Sequence, residues 1–186
     1  MADPENRDLL LRCAREKRFC AVRNAYETED RFLLPLLVEQ DFFLAAVEAE
    51  MRTDGYLIDR ISSVERVVPA GDESVNCAAL LQIPESVRVP DIDLNAPDRI
   101  FAWLASRGYP IYVECAWPGR LDVGMFTGVV TDCSADAFDI RRFDTNCRWD
   151  GGILTVPYEN LLRLMFDTEI LKTYGAVLPP QPGRKR

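Results

Sequence analysis

Apolar and polar positions alternate along most of this chain, and the period of the alternation changes as it proceeds. Over residues 4–16, PENRDLLLRCARE, the positions Leu9, Leu10, Cys13 and Ala14 recur at helical spacing and predict a short helix. Asp3 is placed to cap it, and Pro4 suits its first turn. From Phe19 the period shortens. FCAVRNAY, RFLLPLLVEQ, FFLAAVEAE, GYLID and VERVV are short, rich in β-branched and aromatic residues, and separated by polar or glycine-containing turns. Such runs predict strands. Pro35 interrupts the second run; it has no N–H for a sheet ladder and so marks an edge or a bulge.

Residues 69–94 read as a connector, whose prolines and scattered acids disfavour long regular structure, with one helical turn at Ala78, Ala79, Leu80 and Leu81. A clearer helix follows. Asn95 is a suitable N-cap, Pro97 and Asp98 suit the first turn, Ile100, Phe101, Leu104 and Ala105 form its stripe, and Gly108 stops it. A second set of strand patterns comes next: PIYVECAW, GMFTGVVTD, AFDIRRFD, GILTV and NLLRLMF. The segment DTEILKTY predicts a last short helix, and GAVLPPQPGRKR a flexible tail.

The two halves match in order and kind. Laying Asp54-Gly55 on Asp150-Gly151 puts Phe42 on Phe138, Leu44 on Ile140 and Ile58 on Leu154. One residue of slip then puts Val64 and Val67 on Leu161 and Leu164. Each Asp-Gly reads as the tight turn between the third and fourth strands. A duplicated unit is the reading. The expected fold is mainly β with short helices: two tandem five-stranded barrels, each preceded by a helix. Residues 1–68 make the first, 69–94 the connector, 95–174 the second and 175–186 the tail. Closing each sheet on itself would remove most of its edges, and Gly124 and Gly128 would permit the bends.

The second half resembles the Sm-like (LSM, Hfq-type) small barrel, and SH3-like barrels share much of the pattern. That family reads as a helix, a first strand, a glycine-containing second strand, a third strand of alternating apolars, a short fourth strand and a short turn into the fifth. Pro110–Trp117, Met125–Asp132, Phe138–Asp144, Ile153–Val156 and Leu161–Phe166 are similar to those strands, and VPYENLLRL to the join before the last one. In the first half Leu33-Leu34-Pro35 replaces the glycine strand. The resemblance implies ring formation and RNA binding. The family's Tyr-Lys-His type cluster does not carry over: the join here is Val156-Pro157-Tyr158-Glu159, and Arg60-Ile61-Ser62-Ser63 in the first half. Phe143-Asp144-Thr145-Asn146 is only superficially similar to the family's RNA-binding loop.

Charge narrows the classes of partner. The net is −8, and all of it falls in residues 1–96, with 11 basic and 19 acidic residues, against 11 and 11 in residues 97–186. That acidity disfavours DNA, RNA and anionic membranes. The 19 arginines against 3 lysines are typical of a GC-rich genome. No apolar run approaches the roughly 20 residues that span a bilayer, and the N-terminus lacks a signal-peptide core, so a cytoplasmic location is expected. There is no histidine, which removes the commonest general base and metal ligand. Cysteines 13, 20, 77, 115, 133 and 147 include no C-x-x-C pair, so neither a zinc site nor any other cofactor is expected.

Arg141, Arg142 and Arg148 with Trp149 form the one candidate anion or nucleic-acid contact, since arginine forks suit phosphates and the indole suits a base. Asp139, Asp144 and Asp150 interleave with them, and cross-strand ion pairs would neutralise the cluster. Glu48 and Glu50, with Asp54 and Asp59, could form an acidic docking patch or weak cation site, and Trp103 and Trp117 could line a groove. No catalytic constellation is recognisable. The expected function is a non-catalytic interaction or adaptor module with a protein partner or with itself. The alternatives are an RNA-binding Sm-like protein and an enzyme using carboxylates.

Overall fold

The computed structural model describes residues 4–50, 52–119 and 122–182. The chain divides into two compact units, Met1–Asn95 and Ala96–Arg186. The first holds α1 (Pro4–Glu16), β1 (Cys20–Asn24), β2 (Arg31–Val38), β3 (Phe42–Ala49), β4 (Arg52–Arg60), β5 (Val64–Pro69), α2 (Asp72–Leu80) and α3 (Ile83–Ser86). The second holds α4 (Pro97–Arg107), β6 (Pro110–Ala116), β7 (Val123–Cys133), β8 (Ala137–Phe143), β9 (Trp149–Pro157), β10 (Leu161–Phe166) and α5 (Glu169–Val177). The protein is thus mainly β, with short helices, as the alternation predicts. Among the described residues no helix is long and apolar enough to cross a membrane.

Both units use one antiparallel strand order, β5-β1-β2-β3-β4 in the first and β10-β6-β7-β8-β9 in the second. The closed barrels expected from the pattern are not found. In each unit the fourth and fifth strands stand at opposite ends of the order. Helices, rather than a strand ladder, cover the sheet faces. Between those strands lies a 3₁₀ turn, Ile61–Ser63 or Tyr158–Asn160, flanked by extended residues. Its first N–H bonds to Asp41 O in one unit and, as Tyr158 N, to Asp136 O in the other, both at 2.9 Å.

The irregularities of the ladders repeat as well. The pairing of fifth on first strand shifts beside Val64 in one unit and Leu161 in the other. The second strand bulges between Pro35 and Leu37, and between Val130 and Asp132, so Pro35 marks a bulge. Third-strand shifts fall at Ala46/Glu48 and Arg141/Phe143. Matching these registers equates Phe43 with Phe138, Ala45 with Ile140, Leu57 with Leu154 and Val64 with Leu161. The alignment on the Asp-Gly pairs is therefore one residue out at Phe42 and at Ile58. The reason is that neither Asp-Gly is the hairpin turn. Ala49 pairs with Arg52, and Phe143 with Trp149, so both Gly55 and Gly151 lie inside the fourth strands. A one-residue slip exchanges sheet faces, so this correction decides which side chains correspond.

Helices lie on both faces of the first sheet, α1 on one and α2 with α3 on the other. Cys13 of α1 meets Cys20 of β1, and Asn6 of α1 donates to Val64 O and Glu65 O and accepts from Val67 N. The opposite face, carrying Phe19, Leu34 and Ala46, packs with Ala70 under Ala78 of α2 and Ile83 of α3. The connector is thus more helical than expected, with nine residues in α2. The second unit follows suit. Phe101 of α4 stacks on Phe138 at 3.7 Å, and Tyr174 of α5 meets Phe143 edge-on at 5.4 Å. Residues 175–177, expected in the tail, close α5. Gly108 takes the left-handed C-cap expected of it, but Ala96 rather than Asn95 is the N-cap of α4, because the Asn95 amide turns back to Asp93 Oδ1. Asp3 lies outside the described residues.

Candidate functional site

In each unit a nine-residue helix follows the fifth strand and returns over the sheet, α2 after β5 and α5 after β10. Counted from their first residues, Glu73 corresponds to Ile170, Ser74 to Leu171, Cys77 to Tyr174 and Ala78 to Gly175. Sheet registers add Glu48 to Phe143 and Phe32 to Thr127. Gly175 lies close to Pro110, a Cβ there meeting Pro110 Cγ at 3.2 Å, as Ala78 lies close to Phe19 in the first unit.

The same place in the two units is furnished differently. In the second, the corresponding positions hold Phe143, Leu171 and Tyr174; Leu171 is buried and the two rings are in edge contact. In the first they hold the smaller Glu48, Ser74 and Cys77. A groove of about 420 Å³ remains, lined by Phe19, Phe32, Glu48, Glu73, Ser74, Cys77, Ala78 and Ile83. Its floor is apolar and its carboxylates are Glu48 and Glu73. Phe32 is 49% exposed, which is high for a phenylalanine in a strand. The start of α2 is tied to the sheet by Asp72, which accepts from Arg18 Nη2 at 2.8 Å.

The arginine cluster read from the sequence is divided by the sheet. Arg141 and Arg142 are consecutive in β8 and point to opposite faces. Arg141 lines a cleft of about 240 Å³ with Val130, Thr131, Ile153 and Gln181, and its Nε is buried without an acceptor among the described residues. Arg142, Arg148 and Trp149 share a shallow concavity of about 500 Å³ with Met125, Phe126 and Thr127. There Asp150 pairs with Arg142, which also lies over the Phe126 ring at 5.6 Å. Trp149 Nε1 donates to Pro179 O at 2.9 Å. Asp144 accepts the N–H groups of Asn146 and Arg148 at 2.9 Å each, which, led by the Arg148 bond, holds its carboxyl below the usual range. The segment Phe143–Asn146 is thus a hairpin bend organised by its own aspartate.

The other candidates separate too. Asp59 leaves the acidic patch: it is fully buried and accepts from Asn24 Nδ2 at 2.7 Å. Glu50 takes a left-handed turn between β3 and β4. No group of three metal-binding side chains occurs among the described residues. Tyr158 is a core ring packed beside the stacked Phe101 and Phe138, its hydroxyl donating to Ser134 O at 3.0 Å, and burial pushes its phenol up. Trp103 meets Tyr109 and Phe166 edge-on, while Trp117 crosses Gly124.

Phe19, Phe32, Ser74 and Cys77 are not marked as site residues by the alternation of the sequence. Their signal was available in DESVNCAAL set beneath EILKTYGAV, where Leu and Tyr give way to Ser and Cys. No protein-family model, curated protein or solved structure matches the chain.

Proposed function

We propose that this chain is a non-catalytic interaction module, built as a tandem of Sm-like small β units, whose first unit binds a protein partner. The open groove beside α2 carries this reading. One unit carries the large side chains Phe143, Leu171 and Tyr174 at these positions, whereas the other carries Glu48, Ser74 and Cys77 and keeps an accessible apolar hollow. An apolar hollow rimmed by polar groups is the common form of a docking surface. Supporting the Sm-like part are the repeated order of helix, five strands and a short 3₁₀ turn into the fifth strand.

A second reading, RNA binding, has the concavity of Arg142, Arg148 and Trp149 in its favour. The pairing of Arg142 with Asp150, the engagement of the indole N–H by Pro179 and the acidity of the chain weigh against it.

The test compares the immobilised wild-type chain with the groove-filling variant S74L/C77Y in an extract of its own cells, identifying bound proteins by mass. The reading expects a protein retained by the wild type and lost with the variant. If no protein is retained, while labelled oligonucleotides are held on filters in a salt-dependent way, the RNA reading replaces it.

A further inference from the structure

We infer, resting on the protein-binding reading above, that the groove beside α2 takes an aromatic-and-aliphatic anchor of a partner segment flanked by basic residues. The second unit displays the shape of the occupant. Its α5 sets Leu171 and Tyr174 three residues apart, so both fall on one helical face at the positions of Ser74 and Cys77, and Phe143, in edge contact with Tyr174, stands at that of Glu48. An incoming segment that presents a Leu and a Tyr at that spacing replaces the missing contacts without asking the sheet to move.

The charge of the occupant follows from the lining. Glu48 and Glu73 stand where the second unit has Phe143 and Ile170, so both acids are particular to the first unit. Among the described residues that line the groove the only charged ones are the two acids, and residues 1–96 hold the whole −8 of the chain. Arginine or lysine beside the anchor is attracted there, whereas an acidic flank is repelled. Cys77, exposed on the groove wall, serves as a reporter, because an occupant covers its thiol.

The test uses the full chain and synthetic peptides of about 12 residues, the length of a helical docking segment. One carries Leu and Tyr three apart between arginines. Another has serine at both anchor positions, and a third has glutamates for the arginines. Alkylation of Cys77 by N-ethylmaleimide, followed by mass mapping, reads occupancy, and fluorescence anisotropy reads affinity. Only the first peptide should protect Cys77, and E48Q/E73Q, which leaves the groove's shape intact, should weaken it about tenfold. Equal binding of the serine or glutamate peptide, an unchanged affinity in E48Q/E73Q, or an alkylation rate at Cys77 unaffected at millimolar peptide overturns the inference. Where a natural partner is retained but leaves Cys77 fully reactive, the anchor inference fails and the protein-binding reading survives on another surface. Where no protein is retained at all, the reading fails with it.

Discussion

Asn24 Nδ2 donates to Asp59 Oδ2 at 2.7 Å, and neither residue has any exposed surface. The registers place Cys115 and Val156 at the matching positions of the second unit. One unit thus ties its first and fourth strands with a buried polar pair, and the other holds two buried apolar side chains at the matching positions. Asp59 also accepts from Arg60 N at 2.9 Å and Ser63 Oγ at 3.4 Å, so the carboxylate fixes the entry to the 3₁₀ turn.

That exchange predicts strong non-additivity. N24A leaves a buried carboxylate short of a donor and should cost about 2–4 kcal/mol. The double change N24C/D59V imports the pair of the second unit and should cost less than N24A alone. Urea unfolding of N24C, D59V and N24C/D59V against the wild type, read as a double-mutant cycle, measures the coupling. Simple additivity of the two changes would count against a coupled pair.

Size is traded across strands at the glycine of β7. A Cβ on Gly128 would stand 2.5 Å from Arg141 O and 2.5 Å from Ile140 Cγ1. In the first unit the same position is Leu33, and the residues matching Ile140 and Arg141 are Ala45 and Ala46. G128A should therefore destabilise the second unit by about 1–3 kcal/mol, the usual range for overpacking. Adding I140A should recover only part of the loss, because the backbone oxygen remains in the way. Thermal melts of both variants check this.

The Asp144 bend gives a pH prediction of definite sign. Its carboxyl is held below the usual range by the Arg148 N–H first, with help from Asn146 and the Arg148 charge. A depressed folded value means that its contribution is fully present above the unfolded carboxylate pKa and is lost as pH falls through the folded one. NMR titration should find Asp144 protonating at lower pH than ordinary aspartates, and D144N should remove that step. A normal titration at Asp144 would contradict the capping geometry.

Thiol reactivity should follow burial. Cys13, Cys20 and Cys115 are 0% exposed, Cys133 and Cys147 are half-buried, and Cys77 is exposed. Burial and then the Glu114 charge push the Cys115 thiol up to about 12, which suppresses its reactive thiolate. N-ethylmaleimide should label Cys77 first, and the three fully buried thiols only after unfolding. Early labelling of Cys115 would be inconsistent with the β6–β10 packing.

The alternation of apolar and polar residues alone sufficed for the five strand segments in each half and for α1 and α4, because period and turn residues are local properties of the chain. The bulge at Pro35 was legible for the same reason, the missing N–H being written in the residue. Three matters were settled only by tertiary structure. Register depends on which strand lies opposite, so the one-residue error around the Asp-Gly pairs could not be seen from spacing. Side-chain direction depends on the sheet face, so Arg141 and Arg142, adjacent in sequence, part company while Arg142, Arg148 and Trp149 meet. The groove itself is a difference in volume between α2 and the sheet beneath it. It arises where Glu48, Ser74 and Cys77 converge from separate elements, and only the folded chain brings them together.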